Sequence, residues 1–401
     1  MRHVSCCGLI LAAIALLIPA AAAADAPLAA AVGGLESRLA GDPAAAGAGP
    51  LETARYAAAL VSAALAVFEQ SRHLDKPHFA RNDGIDGRAG LYNPDNLYSS
   101  TLVSDKGSYR IHGRRGSHVM LSLQLLDAYP IVGLGRNLAA INLETLGIRA
   151  GDDFEIFLGG PSHGRHWFAL PAGTKAVLAR QTFEDWSAET PSSLRIDRLD
   201  RGAGKVAPDE AARTAADYLL AADRTWNAGY LPRIRQLPVN RIPPPRASDT
   251  DAGGLGGQQS VAARYRLTAG QALIITVGRS NALYQGIQLG NPWFVAPNYI
   301  DHQVSLNRSQ AAVDADGRIR YVISLSDPGV ANWLDPAGFG EGYLFMRWQG
   351  LSRPLVAEEA PTVELVTLAE LPGRLPAETR QLSAAQRAEQ LAQRLSVPIR
   401  K

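Results

Sequence analysis

Two hydrophobic periods alternate along this chain. Between residues 51 and 73, Tyr56, Leu60, Ala64, Val67 and Phe68 recur at helical spacing. They lie in an Ala-rich stretch, residues 25–80, which predicts an N-terminal helical segment packed on the main body. The period then drops to two. In residues 118–125, Val119, Leu121, Leu123 and Leu125 share one face of a strand. Further short strands are predicted over 154–158, 166–170 and 175–183, separated by Gly, Pro and Asp turns. Residues 209–226, with Asp209 as N-cap, predict a helix. Strand patterns return at 264–267, 273–277, 318–325 and 343–348, and Asp314-Ala315-Asp316-Gly317 predicts a hairpin turn. The tail over 383–395 is an amphipathic helix opened by Ser383 with Gln386 in capping-box spacing.

Regular short strands with turn chemistry point to a mainly β protein: two antiparallel β-sandwich or jelly-roll-like units with helical N- and C-terminal segments. The first unit is expected over 81–230, ending in a helix, and the second over 261–373, followed by a C-terminal helix in 374–401. Between them, residues 231–246 hold five prolines and four arginines, which favours extended chain excluded from sheet interiors. Residues 247–259 contain Gly253, Gly254, Gly256 and Gly257, so 231–260 is expected to be a linker or a lid over a cleft. A faint echo joins the two units. His166-Trp167-Phe168, Pro171-Ala172-Gly173 and Arg180 resemble Asn332-Trp333-Leu334, Pro336-Ala337-Gly338 and Arg347, with Trp-to-Arg separations of 13 and 14.

The first residues bear on compartment. Met1 and Arg2 lead into an apolar run from Gly8 to Ile18, then Pro19 and small residues to Ala24, the pattern of a secretory signal peptide over residues 1–24. Cys6 and Cys7 would leave with it, so disulfides and thiol chemistry are not expected. The expected location is periplasmic or secreted, with no membrane span after cleavage. Charge adds an exclusion: 40 Lys+Arg against 38 Asp+Glu give a net +2, too balanced for nucleic-acid binding by bulk positive charge. With 46% hydrophobic and 19% charged residues, the composition is globular.

Three polar-aromatic clusters carry the candidate chemistry. In the first, Asn93, Asp95 and Tyr98 stand in a Pro/Asx turn that suits a sugar or polyol, or simply closes the turn. In the second, Phe183-Glu184-Asp185-Trp186, a carboxylate sits beside Trp with Arg195 and Arg198 nearby, as an ion pair or as a tuned acid. The third runs through Tyr284, Trp293, Phe294, Tyr299, Asp301, Asn307, Asp327, Asn332, Trp333, Asp335, Glu341 and Arg347. Paired carboxylates among these would permit glycosidic cleavage, whereas aromatics on strands are also ordinary sandwich core. The candidate acids and bases are Asp95, Asp185, Asp327, Asp335 and Glu341. Asn93, Tyr98, Trp293, Tyr299, Asn332 and Trp333 would bind substrate, with Arg115 and Arg347 orienting anionic groups.

Other chemistries lack their motifs. Gly116-Ser117-His118 is not a G-x-S-x-G elbow, H-E-x-x-H is absent, and no P-loop or dinucleotide fingerprint follows a strand. His163 and His166 are poorly spaced for zinc, and Asp314 and Asp316 lack the rest of a calcium loop. No cofactor or metal is expected.

The clusters also resemble a bacterial family catalogued as a domain of unknown function, number twelve-fourteen, often found with a companion domain of unknown function. The resembling stretches are Asn93-Pro94-Asp95-Asn96-Leu97-Tyr98, Tyr109-Arg110-Ile111 with Gly113, Phe183-Glu184-Asp185-Trp186, Gln288-Leu289-Gly290, Ser305-Leu306-Asn307, Asp327-Pro328-Gly329, Asn332-Trp333-Leu334-Asp335 and Glu341-Gly342. The resemblance spans most of the chain from about residue 50 and implies a mainly β, double-sheet architecture, without an agreed catalytic residue. His166 stands where the family more usually has Asn. The expectation is an exported β-rich protein that binds a polyhydroxylated or ring-containing ligand between two β-units. It would act either as a hydrolase or lyase on a glycan or glycoconjugate, or as a non-catalytic envelope protein. Small-molecule or glycan partners are expected, and the oligomeric state stays open.

Overall fold

The computed structural model describes residues 27–81, 90–130, 135–162, 164–202, 204–252 and 254–395. The predicted signal peptide, His163 and Gly253 lie outside them. The chain opens with helices α1 (Pro27–Ala40) and α2 (Pro43–Ser71). Asp42 caps α2 by accepting from the Ala44 N–H at 2.8 Å, and the helix kinks at Gly49, whose φ of 81° precedes Pro50. By length and composition α2 is apolar enough to cross a membrane. Here its Tyr56, Leu60, Ala64 and Val67 are buried in a helical core.

The first β-unit contains β1 (Ala80–Arg81), β2 (Asn96–Leu102), β3 (Tyr109–Arg114), β4 (Met120–Leu126), β5 (Asn137–Asn142), β6 (Asp153–Leu158), β7 (Trp167–Phe168), β8 (Ala176–Thr182) and β9 (Arg195–Arg198). Its sheets run β1-β2-β8-β4-β5 and β7-β6-β3-β9. The second contains β10 (Arg246–Ala247), β11 (Gln259–Arg266), β12 (Gln271–Gly278), β13 (Tyr284–Gly290), β14 (Ser305–Asn307), β15 (Arg318–Ser324), β16 (Trp333–Leu334), β17 (Glu341–Gln349) and β18 (Thr362–Thr367). Its sheets run β10-β11-β17-β13-β14 and β16-β15-β12-β18.

Adding nine to each strand number of the first unit generates the second. Every pairing is antiparallel except β6–β7 and β15–β16, which occupy equivalent places. The registers fix residue equivalences. Arg180 opposes Tyr98 and Ser122 in the first unit, and Arg347 opposes Ser260 and Gly286 in the second. Trp167 donates its indole N–H to the Gly159 carbonyl, and Trp333 donates to the Ser324 carbonyl, both at 3.0 Å. The sequence echo is therefore the trace of a duplicated sandwich.

Each sandwich encloses its own apolar core, with Leu121, Leu123, Val177 and Ala179 in one and Leu289, Leu344, Met346 and Ile323 in the other. Alternate residues on the same strands turn the other way, so the second faces of the β8 and β17 sheets look toward each other. Contacts across that interface are reciprocal. Thr182 and Gln349, which are equivalent, share a hydrogen bond of 3.2 Å. Gln288 donates to the Tyr92 carbonyl, and its equivalent Gln124 donates to the Gly254 carbonyl, both at 3.2 Å. Such isologous exchange is what a two-fold dimer shows between subunits.

Several local expectations are revised. Helix α3 (Pro208–Ala222) starts on Pro208 with Ala207 at its cap, not on Asp209, because Pro at the first helical position is preorganised for it. It continues as a π-helical stretch, Asp223–Tyr230, into α4 (Leu231–Ile234), so the Pro/Arg segment begins helical and not extended. Farther on, that segment bridges Arg264 through Val239 and Arg241 and forms edge strand β10, where Pro is tolerated. The Asp314–Gly317 turn opens β15, but the strand before it, β14, belongs to the opposite sheet, so no hairpin forms. Asp314 and Asp316 bind Arg320 at 2.7 Å each. The C-terminal part adds α5 (Leu371–Arg374) and α6 (Ala384–Leu395). Ser383 and Gln386 form both capping-box bonds at the start of α6.

Candidate functional site

Beside the Thr182–Gln349 contact the facing sheets separate around a cavity of about 300 Å³. Equivalent positions of the two units line it in pairs: Arg180 with Arg347, Leu178 with Phe345, and Tyr98 with Ser260. Helices and loops complete the wall with Tyr92, Tyr230 and Phe294. The segment from Arg246 to Gln258 closes another side, pinned to the first unit where Asn137 and Gln124 donate to the Gly254 carbonyl. Within the stretch expected as linker or lid, residues 246–249, Gly254 and Gln258 thus line the cavity.

The lining is aromatic and ordered. Tyr92 stacks on Tyr98 with centroids 4.5 Å apart, Tyr230 stacks on Trp226 at 4.4 Å, and Phe294 meets Tyr230 edge-on at 5.8 Å. Tyr230 is delivered by the π-helical stretch, a distortion that recurs at functional sites. Leu91 and Phe294 both adopt left-handed backbone, with φ of 50° and 56°, and the Leu91 N–H donates to the Phe294 carbonyl at 2.9 Å. Bulky side chains in that region cost on the order of 1–3 kcal/mol each. Two such residues side by side on one cavity wall mark a shape that the fold maintains against strain.

Arg347 is half-buried at the cavity floor. Its guanidinium donates to Gln288 Oε1 and, at 2.6 Å, to the Leu91 carbonyl, and lies 4.2 Å from the Phe345 ring centroid. Burial lowers its pKa, and the nearby Arg180 charge lowers it further, against Tyr98, Tyr284 and Asp95. Arg180 itself lies over the Tyr98 ring at 5.6 Å. Behind this layer, Tyr284 donates to Asp95 Oδ2 at 2.6 Å, and Asn93 Nδ2 donates to the Tyr284 hydroxyl at 2.9 Å. Burial, with the Asp95 charge, pushes the Tyr284 hydroxyl well above its usual range.

The expected site residues divide sharply. Tyr98 and Arg347 line the cavity, and Asn93 and Asp95 form the layer behind it. The remaining acids lie elsewhere and are occupied. Asp185 accepts from Ser187 and Ala188, which holds its carboxyl below the usual range. Asp327 pairs with Arg387 at 2.9 Å, and Asp335 with His302 at 2.7 Å. Glu341 pairs with Arg264 and Arg266; burial raises its pKa, but the two guanidinium bonds outweigh it and leave the pKa lowered. The proposed pairing of these carboxylates around one substrate is therefore not what the geometry presents.

The expected binders are similarly sorted. Arg115 is a buried brace bonded to Glu144 and to the Gly116 and His118 carbonyls. Trp293 anchors α2, stacking on Tyr56 at 4.7 Å and donating to Thr53 Oγ1 at 3.0 Å. Asn332 ties Ala312 to Arg320, Trp333 lies beneath Arg387, and the Tyr299 carbonyl accepts from Arg394. A larger groove of about 810 Å³ runs beside α6 past Asp185 and Arg394. Burial lowers the Arg394 pKa to about 10, and its donors are committed to Tyr299 and Ser305.

Arg180 and Tyr230 escaped the sequence-based selection, although the Trp–Arg echo pointed at Arg180, and Phe294 stood in the third cluster without being chosen as a site residue. Glu184 was passed over for its neighbour Asp185. It pairs with Arg308 of the second unit at 3.2 Å, and burial, followed by smaller effects of its charged neighbours, raises its pKa to about 7. Among the described residues, no His/Cys/Asp/Glu group is arranged to hold a metal.

No family model and no curated protein matches the chain. Among solved structures it is similar to an uncharacterized protein from Burkholderia cenocepacia, with 26% identity and a TM-score of 0.75 over 85% of this chain and 96% of that one. A second similarity is to the VPA0106 protein of Vibrio parahaemolyticus, with 12% identity and a TM-score of 0.44 over 78% of this chain and 98% of that one. The Burkholderia structure shares the mainly β architecture across most of the chain.

Proposed function

We propose that this is an exported protein of the domain-of-unknown-function family it resembles, and that it binds a small ring-containing molecule without turning it over. The observation that carries this is the cavity where the duplicated sandwiches meet, walled by Tyr92, Tyr98, Tyr230, Phe294 and Phe345. About 300 Å³ is the lower end of ligand-site volumes and suits one ring with a short substituent. Binding is favoured over hydrolysis because Asp249 is the one acid among the described lining residues, and glycoside cleavage needs two carboxyls flanking the bond. The test is titration calorimetry of the mature chain against single-ring compounds, with the mixtures then analysed for products. A saturable site weakened at least tenfold by Phe345→Ala, with all ligand recovered intact, supports binding. Product formation, or affinity indifferent to Phe345, refutes it.

A further inference from the structure

We infer that the groove beside α6 is a second ligand site, which takes a short neutral oligosaccharide. It shares no described lining residue with the inter-sandwich cavity, so it stands independently of what that cavity binds. At about 810 Å³ it has more than twice the cavity's volume and lies in the upper range of ligand sites. Three distant parts of the chain build it: residues 185–187 of the first unit, residues 303–312 around β14, and residues 380–394 with α6. Two arginines fix α6 there, each 5% exposed. Arg387 pairs with Asp327 and lies 5.2 Å from the Trp333 ring centroid, and Arg394 lies 5.0 Å from that of Trp186. On the neighbouring stripe of the same helix, Gln386, Glu389, Gln390 and Gln393 line the groove at helical spacing.

The lining is a set of oriented amides and carboxylates. Gln386 Oε1 accepts from the Ser383 N–H at 2.8 Å, Gln310 Oε1 from the Asn307 N–H at 3.0 Å, and Gln390 Oε1 from Arg387. Each carbonyl oxygen is thereby engaged, and the three NH2 groups have no partner among the described residues. Asp185 takes its three bonds from Ser187 and Ala188 on Oδ1, which leaves Oδ2 as an acceptor, and Glu389 adds a second carboxylate. Arg380 and Arg394 match the two acids, so the described lining carries no net charge. An apolar ligand would leave these amides and carboxylates unpaired, and an ion of either sign would meet like charge. Hydroxyl groups both donate and accept, so a polyhydroxylated chain serves NH2 donors and carboxylate acceptors together. A peptide would use the groove by adding a strand to the sheet edge at β14. That edge is already engaged. The Ser305 carbonyl accepts from Arg394 at 3.3 Å, the Asn307 N–H donates to Gln310, and the Asn307 carbonyl accepts from the Gln310 and Ala311 N–H groups.

The experiment is calorimetric titration of the protein with cellotriose, maltotriose, chitotriose and tetra-alanine, on wild type and on Glu389→Ala, Gln390→Ala and Phe345→Ala. Glu389 is exposed, so its variant remains informative if Gln390→Ala fails to fold. The expected result is saturable binding of at least one trisaccharide, weakened about tenfold by Glu389→Ala and by Gln390→Ala and unchanged by Phe345→Ala. Sugar binding that Phe345→Ala abolishes and Glu389→Ala leaves intact belongs to the inter-sandwich cavity and overturns the groove as its site. Tighter binding of tetra-alanine than of any sugar overturns the oligosaccharide. Failure of all three trisaccharides overturns the inference and leaves the single-ring reading of the inter-sandwich cavity untouched.

Discussion

Glu184 links the two sandwiches, and its charge state should be visible in their stability. Its carboxylate pairs with Arg308, its carbonyl accepts from the Ser309 hydroxyl, and its side chain is 12% exposed. Burial raises its pKa from 4.5 to about 7. The folded state thus holds the proton more tightly than the unfolded chain does. Stability from this group is fully present below about pH 4.5 and is lost as pH rises through about 7. At about 1.4 kcal/mol per pH unit, the loss amounts to about 3 kcal/mol. Glu184→Gln keeps the acceptor for Arg308 and removes the ionisation. Urea unfolding of wild type and variant at pH 4.5 and pH 8 isolates the effect, because every other titrating group is common to both. The variant should gain about 2–3 kcal/mol relative to wild type on going from pH 4.5 to pH 8. A difference between the two proteins that is the same at both pH values would refute the buried-carboxyl account.

Three further outcomes are expected. Trp293→Ala removes the stack on Tyr56 and the bond to Thr53, and should cost about 3–5 kcal/mol by urea unfolding, since the site is fully buried. Gly113→Ala places a Cβ 1.9 Å from the Ser193 carbonyl oxygen, so β3 must move and about 2 kcal/mol or more should be lost, with the unfolding midpoint as readout. Glu341→Gln unpairs Arg264 and Arg266 at a half-exposed site; it should cost about 1 kcal/mol and leave calorimetric affinity for the cavity ligand unchanged.

Periodicity made the β-class legible, because β4, β6, β8, β15 and β17 each carry an alternating or buried apolar pattern that survives in one dimension. Strand β5 has no alternation of buried and exposed positions and β14 is three residues long, so neither gives such a signal. The duplication was visible through Trp167/Trp333 and Arg180/Arg347, positions fixed by an indole bond and by the cavity, and through the Pro-Ala-Gly turn between them. Hydrophobic core positions tolerate substitution and lose the echo. Motif residues misled for a related reason. Glycines of the family-like stretches record close backbone approach: a Cβ on Gly342 would lie 2.3 Å from the Gly290 carbonyl oxygen. The acids beside them are caps and ion-pair partners. What makes the cavity is a meeting of residues about 170 positions apart, and local patterns carry no information about that meeting.

The most direct test of the account is a crystal structure of the protein grown with the tightest single-ring compound from the titrations. Ligand density in the inter-sandwich cavity, its ring among Tyr92, Tyr98, Phe294 and Phe345, is the predicted result. Density seated instead in the groove beside α6, with the inter-sandwich cavity holding only solvent, would contradict it.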